Sequence, residues 1–530
     1  MTVFYANLIE KAGLSMSPLE QNDKIVLEQH GLSMSQIEVQ LQQLRQGMPP
    51  LHLIRPCRVG DGIVQLLPQQ NVEYCKQLRV AQDAGRISKF IPASGAATRM
   101  FKDLLQFIET ESASQTTRSI DSPLPEGIAT AWDQLSQFPF SDDLQQDFNA
   151  AGIDIQNLYQ TRQITRVFQA LLHVPGLGYA HFPKAILPFH RYPEGTRTSL
   201  EEHVHEAMMY TPKATGLIRI HVTVSAQFEA QVIEHIDTIK QKLANSGFEL
   251  ELTVSIQKPS TDTVALDSHG EPFRDEQGRL IFRPGGHGAL LENLNDYQGD
   301  IVCISNIDNV VPDYLKGEIV EWRMALAGYL LTLQDEIFHH LQQLELAHPT
   351  AVEKAQACIQ QHLHQPFPSS YDQLDIPGKV DWLKRFLHRP IRVCGVVPNT
   401  GDPGGGPFWV QHADGSQSRQ IVEQSQGDPE SKSQQQLFAL ATHFNPVDMV
   451  CGVRDYRGRP FNLLTFSDPD TSFISHKTYQ GRPLKALEWP GLWNGSMADW
   501  ITIFVEVPRS TFNPVKTFLD WLHPNHQPPA

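Results

Sequence analysis

A short segment near residue 95 has the order of elements of a phosphate-binding loop, although it contains one glycine where such loops usually have several. The stretch ASGAATRM, residues 93–100, follows an apolar strand-like segment and precedes an amphipathic helical pattern. Free N–H groups at the start of a helix can bind an anion. Arg99 lies in the first helical turn, where a cation opposes the helix dipole unless an anion is near. The candidate phosphate-binding residues are therefore Ser94, Gly95, Ala96, Ala97, Thr98 and Arg99. The alternative is an ordinary helix with Ser94 as its cap.

Three further basic residues are candidates for contacting phosphate. Lys184 follows Pro183 in the stretch AHFPKAILPFH, so its backbone is restrained. A rigidly placed lysine suits the neutralisation of a phosphate charge, although a surface lysine in a loop is the alternative. Arg509 and Lys516 lie in VEVPRSTFNPVKTFLDWL, between a predicted strand and a predicted helix. They are candidates for the same chemistry, and two solvated surface charges are the alternative.

A carboxylate follows the apolar run Ile301–Ile304, which does not alternate and so predicts a strand covered on both faces. Asn306 and Asp308 come just after this strand, and the C-terminal edge of an α/β sheet is where ligands bind. One carboxylate beside phosphates is a usual way to hold Mg²⁺. Asp308 is therefore the candidate metal ligand, with an Asp–Asn turn as the alternative.

A glycine-rich segment, FRPGGHGALLENL, surrounds a histidine and then begins a helical pattern. Gly286, His287 and Gly288 would allow the backbone to approach a planar or phosphorylated ligand closely. The alternative is a glycine-rich turn between a strand and a helix.

The elements that must position these residues alternate between strand and helix patterns from about residue 86, which predicts an α/β fold. We predict a helical N-terminal region over 1–85 and a core over 86–335 with a helical insertion at about 114–165. A helical segment over 336–390 and a mixed α/β segment over 391–530 follow. Two S-x-x-E patterns, at 17–20 and 35–38, predict capping boxes of two short N-terminal helices.

The bulk composition argues against several classes of protein. The 530 residues carry a formal net charge of −16 and no long lysine or arginine cluster, so binding to nucleic acid is not expected. The longest apolar runs fall short of the roughly 20 residues that span a bilayer. The N-terminus lacks the pattern of a signal peptide, so we expect a cytoplasmic protein without a membrane partner.

The cysteines and histidines show no familiar metal-binding pattern. The six cysteines are scattered without a C-x-x-C pair, which argues against a zinc site or a disulfide framework. His203 and His205 form an H-x-H pair in a stretch with a helical pattern. Residues i and i+2 do not share a face of a helix, so a metal site there is disfavoured.

Taken together, the motifs resemble those of the nucleotide-diphospho-sugar transferase superfamily, and most of all the eukaryotic-type UTP–sugar-1-phosphate uridylyltransferases. PASGAATRM is similar to that family's L-x-G-G-x-G-T-(R/S)-(L/M) loop, and PKA to its P-K-(G/S) segment. RPGGHGALLENL, SNIDN and VPRSTFNPVKT are similar to its P-x-G-H-G-(D/A), S-N-x-D-N and V-P-R-S-x-F-x-P-V-K-T segments. The resemblance spans about 86–525 as separate islands in the family's order. The whole chain also looks like a bacterial family of the same fold.

The resemblance implies a Rossmann-like fold with a mixed, mostly parallel sheet. It also implies a nucleotidyltransferase that joins an NTP, by resemblance UTP, to a sugar 1-phosphate with release of pyrophosphate and with Mg²⁺ as cofactor. The β- and γ-phosphates would be held by the loop from Gly95 to Arg99. The other implied roles are catalytic for Arg99, Lys184 and Lys516, metal-binding for Asp308, and substrate-binding for Asn306, Arg509, Gly286, His287 and Gly288.

Three features depart from the family's pattern. Ser94 and Ala97 stand where the family has glycines, Ala289 replaces an aspartate, and about 85 residues separate Arg99 from Lys184. Two other functions therefore stay open. One is a non-catalytic protein that binds a sugar nucleotide as a sensor. The other is nucleotidyl transfer to a phosphate that is not on a sugar.

Overall fold

The computed structural model describes residues 19, 21–113, 123–210, 216–345, 349–401 and 404–529. The chain forms two compact units, and each consists of three separate segments of sequence. The first unit contains Met1–Phe90, Gln257–Ile304 and Glu321–Arg509, and the second contains Ile91–Ile256, Ser305–Val320 and Ser510–Ala530. The four domain ranges drawn from the sequence stay predictions.

The helices and strands of the described residues are numbered in chain order. The α-helices are α1 (Gln21–His30), α2 (Met34–Gln46), α3 (Pro68–Asp83), α4 (Lys102–Ala113), α5 (Glu126–Asp133), α6 (Ser141–Ala150), α7 (Ile155–Gln160), α8 (Ile164–Leu172), α9 (Ser199–Tyr210), α10 (Glu229–Leu243), α11 (Leu290–Tyr297), α12 (Asp313–Leu344), α13 (Pro349–Gln361), α14 (Ile376–Leu387) and α15 (Lys432–Ala439). The strands are β1 (His52–Pro56), β2 (Arg58–Val59), β3 (Gly62–Val64), β4 (Ile87–Pro92), β5 (Pro188–Tyr192), β6 (Gly195–Thr198), β7 (Leu217–Val224), β8 (Glu249–Ile256), β9 (Thr263–Leu266), β10 (Phe282–Arg283), β11 (Ile301–Ser305), β12 (Ile391–Pro398), β13 (Gly406–Gln411), β14 (Gln417–Val422), β15 (His443–Gly452), β16 (Phe473–Tyr479), β17 (Arg482–Glu488) and β18 (Ile501–Glu506).

The first unit is built around a mixed sheet with the strand order β2-β3-β18-β12-β15-β11-β4. The pairs β2–β3, β3–β18, β18–β12 and β11–β4 are parallel, whereas β12–β15 is antiparallel. Every residue of β11 and of β15 is buried, as expected of strands covered on both faces. Two smaller antiparallel sheets have the orders β1-β13-β14 and β10-β9-β17-β16.

The second unit contains the parallel pair β7–β8, the hairpin β5–β6 and the helices from α4 to α10. One of its cores is aromatic, because Phe101, Phe138, Phe140 and Phe189 surround Trp521 with ring centroids 5.5–6.4 Å apart. Helices lie in the predicted insertion from Glu126 onward, while 114–122 lie outside the described residues. With both units described, the predicted α/β class with a mixed, mostly parallel sheet and additional helices is confirmed.

The N-terminal helices differ from the prediction in one detail. Helix α2 begins at Met34, and its cap is Ser33, whose backbone and side chain exchange hydrogen bonds with Gln36. The predicted box from Ser35 to Glu38 is therefore wrong by two residues. Both Ser33 and Ser35 have the hydroxyl that a cap requires, and a glutamine completes a capping box as well as a glutamate does. The other predicted box, at 17–20, lies outside the described residues.

Helix α12 has 32 residues, which exceeds the length that a bilayer requires. Neither it nor any other helix of the described ranges combines that length with the apolar character of a membrane span.

Candidate active site

The loop after β4 does not form the ordinary capped helix that was the alternative interpretation. Residues Ala97–Arg99 form a 3-10 turn, and the residue that precedes this turn, Ala96, makes no side-chain cap. Ser94 has a different role, because its carbonyl oxygen accepts a hydrogen bond of 2.7 Å from the Ser225 hydroxyl. The 3-10 turn leads directly into α4.

Ala97 explains how this loop can form without the family's glycines. It does not have a positive φ, so an L-residue with a Cβ fits without strain. Its side chain is fully buried in a hydrophobic core, and its N–H group donates to the carbonyl oxygen of Phe182 over 2.9 Å. The prediction that the Ala97 N–H group binds phosphate therefore does not fit this arrangement, because the group already has a partner.

The other groups of the loop are more accessible. Gly95, Thr98 and Arg99 are exposed, and a Cβ added at Gly95 would contact no other atom. The Thr98 hydroxyl donates to the carbonyl oxygen of Ala180 over 3.2 Å. The loop thus presents an exposed guanidinium beside an open backbone segment, which stays the predicted position of the nucleotide phosphates.

Three distant segments of the second unit meet at the ammonium group of Lys184. This residue begins a 3-10 turn directly after Pro183. Its Nζ donates to Asp308 Oδ2 over 2.8 Å and to the carbonyl oxygen of Val515 over 3.2 Å. The side chains of Lys184 and Asp308 are only 14% and 16% exposed, so the ion pair lies in a largely dehydrated position. Electrostatic interactions are stronger there than in water.

The loop that carries Asp308 is tied to the C-terminal segment by its own backbone and by Asn309. The N–H group of Val515 donates to the carbonyl oxygen of Asp308 over 3.1 Å. The buried Asn309 side chain donates to the Thr511 carbonyl and accepts from the Asn513 N–H group, over 3.1 and 2.7 Å. These bonds fix the carboxylate and the chain that leads to Lys516 in one rigid arrangement.

Asn306 begins the turn that the alternative interpretation of this segment described. Its carbonyl oxygen accepts the N–H group of Asn309 over 3.1 Å. The turn is therefore real, and the same turn directs Asp308 toward Lys184. The Asp–Asn turn and the predicted role of Asp308 as a metal ligand are therefore compatible.

Lys516 has a firmly held backbone and an exposed side chain. The N–H groups of Lys516 and Thr517 both donate to Asp520 Oδ2, over 2.8 and 2.7 Å. The ammonium group lies 5.3 Å from the centre of the Phe512 ring, within the range of a cation–π contact. A cation at the surface with a fixed backbone is well suited to contact a charged ligand.

The glycine-rich segment and Arg509 belong to the first unit. Gly286 has a φ of 77°, and a Cβ on Gly288 would come within 2.1 Å of the Pro490 carbonyl oxygen, so both positions require glycine. His287 Nδ1 accepts the N–H group of Leu492 over 3.0 Å. The geometry of a tight turn is thus enough to explain why glycine is required at these positions. A role of the segment in contacting the base or the sugar of a substrate stays a prediction. The Arg509 guanidinium lies 5.4 Å from the Phe444 ring centre.

A buried charge cluster in the second unit was missed by the sequence analysis. The fully buried carboxylate of Glu202, on α9, contacts His190 Nδ1 over 3.0 Å, the Tyr192 hydroxyl over 2.8 Å and the ammonium group of buried Lys316. Burial raises the pKa of the Glu202 carboxyl, but the bond to His190 and the pairing with Lys316 outweigh it and leave the pKa low. We call these residues, together with His526, the Glu202 cluster.

Helix α9 connects the Glu202 cluster to the candidate active site. The Ser199 hydroxyl donates to the carbonyl oxygen of Ile307, and His203 Nε2 lies 3.3 Å from the same oxygen. Ile307 immediately precedes Asp308, so the helix that carries Glu202 also holds the loop that carries the carboxylate. The predicted helix at His203 and His205 is present as α9.

Replacing Glu202 with glutamine is expected to destabilise the protein by about 3 kcal/mol, because the charge of Lys316 would lose a buried partner. Asp313 also contacts the Lys316 ammonium, over 2.7 Å, but its side chain is 50% exposed. Urea unfolding measures the change. Glu194→Gln is the matched control, since Glu194 is exposed and Arg197 keeps its pair with Asp313, so the loss should cost less than about 1 kcal/mol. Equal effects of the two variants would contradict the prediction.

His526 predicts a pH dependence of stability. Its Nδ1 lies 2.9 Å from His190 Nε2, and burial lowers the pKa of His526 to about 3, with the His190 charge acting in the same direction. The unfolded chain binds this proton near pH 6.5, so between about pH 3 and 6.5 the unfolded state binds more protons than the folded state. The free energy of unfolding should therefore fall on acidification, by up to about 1.4 kcal/mol per pH unit from this residue. Urea unfolding of His526→Asn should show a shallower slope, and an unchanged slope would refute the assignment.

The cluster around Asp308 fits the chemistry of Mg²⁺. This ion prefers oxygen ligands and is usually bound through one or two carboxylates together with waters and the phosphates of a substrate. Asp308 supplies such a carboxylate just beyond the end of β11. Its Oδ2 atom lies 2.8 Å from the Lys184 ammonium group, so a cation that can neutralise phosphate charge stands beside the candidate metal ligand.

One family model matches nearly the whole chain. The family model described as "Domain of unknown function (DUF4301)" matches residues 20–527. No match was found among curated proteins.

Solved structures give more distant likenesses. The chain is 12% identical to a mutant of UDP-glucose pyrophosphorylase from Leishmania major in complex with UDP-glucose, with a TM-score of 0.44 and coverage of 96% of this chain and 79% of that chain. It is 11% identical to the uridine diphosphate N-acetylglucosamine pyrophosphorylase from Trypanosoma brucei, with a TM-score of 0.46 and coverage of 95% and 79%. Since the family model covers nearly the whole sequence, the chain belongs to the DUF4301 family.

Proposed function

We propose that this protein is a nucleotidyltransferase that joins an NTP to a sugar 1-phosphate and releases pyrophosphate. The observation that carries the proposal is the meeting of Lys184, Asp308 and the segment before Lys516, held in one rigid arrangement. A buried cation, a carboxylate at a strand end and an exposed cation are the groups that phosphoryl transfer requires. They neutralise charge and position oxygens rather than form a covalent bond.

In the proposed reaction, a phosphate oxygen of the sugar 1-phosphate attacks the α-phosphorus of the NTP in line, and pyrophosphate leaves. Lys184 would exchange its contact with Asp308 for a phosphate oxygen, which frees the carboxylate to hold Mg²⁺. When bound, this ion supplies neutralisation of the phosphate charge. Arg99 would contact the leaving phosphates, and Lys516 would neutralise the phosphate of the acceptor.

The resemblance of the motifs favours UTP as the nucleotide. Asn306, Arg509 and the segment from Gly286 to Gly288 are the residues that we propose for substrate contacts.

The test is a pyrophosphate-release assay with the purified full chain and Mg²⁺. Each of the four common NTPs is combined with a panel of sugar 1-phosphates, and reactions without acceptor serve as blanks. We expect acceptor-dependent release of pyrophosphate with UTP and at least one sugar 1-phosphate. Release with no combination would refute the proposed activity on sugars. Release with a phosphorylated acceptor that is not a sugar would keep the mechanism and change the substrate.

A second candidate function is binding of a sugar nucleotide without catalysis. It is favoured by the Ala97 N–H group, which already donates to Phe182 and so adds nothing to the binding of phosphates. Thermal unfolding with UDP-sugars and with UTP separates the two functions when it is paired with the turnover assay. Stabilisation by a ligand without any turnover would support the binding protein.

A further inference from the structure

Two helices of the first unit bring together a carboxylate, a thiol and an imidazole. Glu336 lies on α12, Cys358 lies on α13, and His362 follows α13 directly. A carboxylate oxygen, the thiol sulfur and a ring nitrogen all lie within 4.8 Å of one another. This cluster lies in a different unit from Lys184 and Asp308, and nothing in the proposed reaction uses it.

The spacing of the residues along the helices explains why they meet. Cys358 and His362 are four residues apart, so they project from the same face at the end of α13. His362 Nδ1 already contacts Glu336 Oε2, which links this face to α12. The thiol is buried, whereas the side chains of Glu336 and His362 are 36% and 45% exposed. Solvent therefore reaches the cluster from the side of Glu336 and His362, whereas Cys358 lies in the interior.

A fourth group lies one helical turn beyond Glu336. His340 is four residues further along α12 and so faces the same side of the helix. Its Nδ1 atom is buried and has no hydrogen-bond partner in the part of the chain that the structure describes. A buried ring nitrogen without a partner is unfavourable unless something else satisfies it. This nitrogen is not among the ligand atoms that lie within 4.8 Å of one another, but it belongs to the side of α12 that carries Glu336.

We propose that Glu336, Cys358 and His362 form a site for a zinc ion. Thiolate, imidazole and carboxylate are the ligands that zinc takes in proteins, usually in a tetrahedral arrangement. Mg²⁺ and Ca²⁺ prefer oxygen ligands alone, so a buried thiol selects against them. Zinc bonds of about 2.0–2.3 Å place the ligand atoms of a tetrahedron roughly 3.5 Å apart. The distances among the three groups therefore need to change by only about 1 Å when the ion binds, with His362 and Glu336 moving slightly apart to admit it.

The proposal assigns a structural role to the ion. It would join α12 to α13 through Glu336 of the first helix and through Cys358 and His362 at the end of the second. Metal binding to the folded protein stabilises it against unfolding, because the unfolded chain does not offer a formed site.

The test is a metal titration of the full chain after treatment with a chelator. We expect one equivalent of Zn²⁺ to bind and to raise the unfolding temperature. Bound Co²⁺ should show a thiolate-to-metal charge-transfer band in the near ultraviolet and the visible bands of a tetrahedral ion. Cys358→Ser should remove the charge-transfer band, and His362→Asn and Glu336→Gln should each weaken Zn²⁺ binding by about tenfold or more.

Matched controls are Cys75→Ser and His476→Asn, which change a partly exposed thiol and an exposed imidazole elsewhere in the first unit. Both should bind Zn²⁺ as the unchanged protein does. The proposal is refuted if no stoichiometric binding occurs, or if the site variants bind as tightly as the controls. Glu336 and His362 lie at the accessible end of the cluster, so their variants decide the question even if Cys358→Ser does not fold.

Discussion

Replacing Lys516 with alanine is expected to reduce the rate of pyrophosphate formation by about 10²–10³-fold, the usual effect of removing one group that stabilises the transition state. The fold should not change, because the Lys516 side chain is exposed and its ammonium contacts only the Phe512 ring among the interactions described above. Its backbone N–H bond to Asp520 is retained in the variant. The turnover assay and thermal unfolding together measure both parts of the expectation.

The control for this prediction is Lys102→Ala. Lys102 is also an exposed lysine of the second unit, at the start of α4, and its replacement changes the net charge by the same amount. Its rate should stay within about twofold of the unchanged protein, because screened surface charges contribute little. Lys516→Arg, which keeps the charge but changes its shape, should recover part of the lost rate. Equal rates for Lys516→Ala and Lys102→Ala would remove Lys516 from the proposed site.

The sequence predicted the elements of the site better than their contacts. The apolar run in β11 predicted a strand covered on both faces, and the structure shows five buried residues there. Residue type and the resemblance predicted a catalytic role for Lys184 and a metal-binding role for Asp308. Their direct ion pair joins residues 124 positions apart, and no local pattern in the sequence encodes such a distance.

Two features escaped the sequence analysis for different physical reasons. Glu202 lies in a predicted helix to which the sequence analysis gave no role, and only tertiary packing against His190 and Lys316 shows that its carboxylate is buried. Cys358 and His362 fit neither the C-x-x-C pattern nor the H-x-H pattern. A helix places ligands on one face at a spacing of four, so C-x-x-x-H was a signal that the sequence did contain.

The loop after β4 needs no glycine at position 97. Ala97 stands where the family that the sequence resembles has a glycine, yet its φ is ordinary and its methyl group fills a buried position. The Ala97 N–H group therefore donates to the Phe182 carbonyl oxygen and is not available to phosphate, while the methyl group adds to the core packing. If the protein is an enzyme, side-chain cations must supply more of the phosphate binding than in a glycine-rich loop. This places a heavier requirement on Lys184 and Lys516.

Breaking the ion pair between Lys184 and Asp308 is expected to have the largest effect on turnover. Lys184→Met and Asp308→Asn should each reduce the rate of pyrophosphate formation by at least about 10²–10³-fold. The double variant should be little slower than either single variant, because residues that act as a unit have non-additive effects. The three variants and the unchanged protein form a double-mutant cycle for turnover.

The same cycle, measured by urea unfolding, separates catalysis from stability. Each single variant leaves one charge in a largely buried position without its partner, which should cost about 1–3 kcal/mol. The double variant should recover part of that loss, since neither charge remains. The control is the exposed pair of Arg219 and Glu251, at 3.0 Å, where Glu251→Gln should change stability by less than about 1 kcal/mol and leave turnover unchanged.

The two readouts distinguish an active site from a structural ion pair. If the pair only stabilises the fold, the double variant regains stability and keeps its activity. If Lys184 and Asp308 contact the substrate and its metal, the double variant regains stability but stays inactive, because restored packing supplies no charge to the phosphates. A stable double variant with full turnover would therefore refute the catalytic assignment of both residues at once.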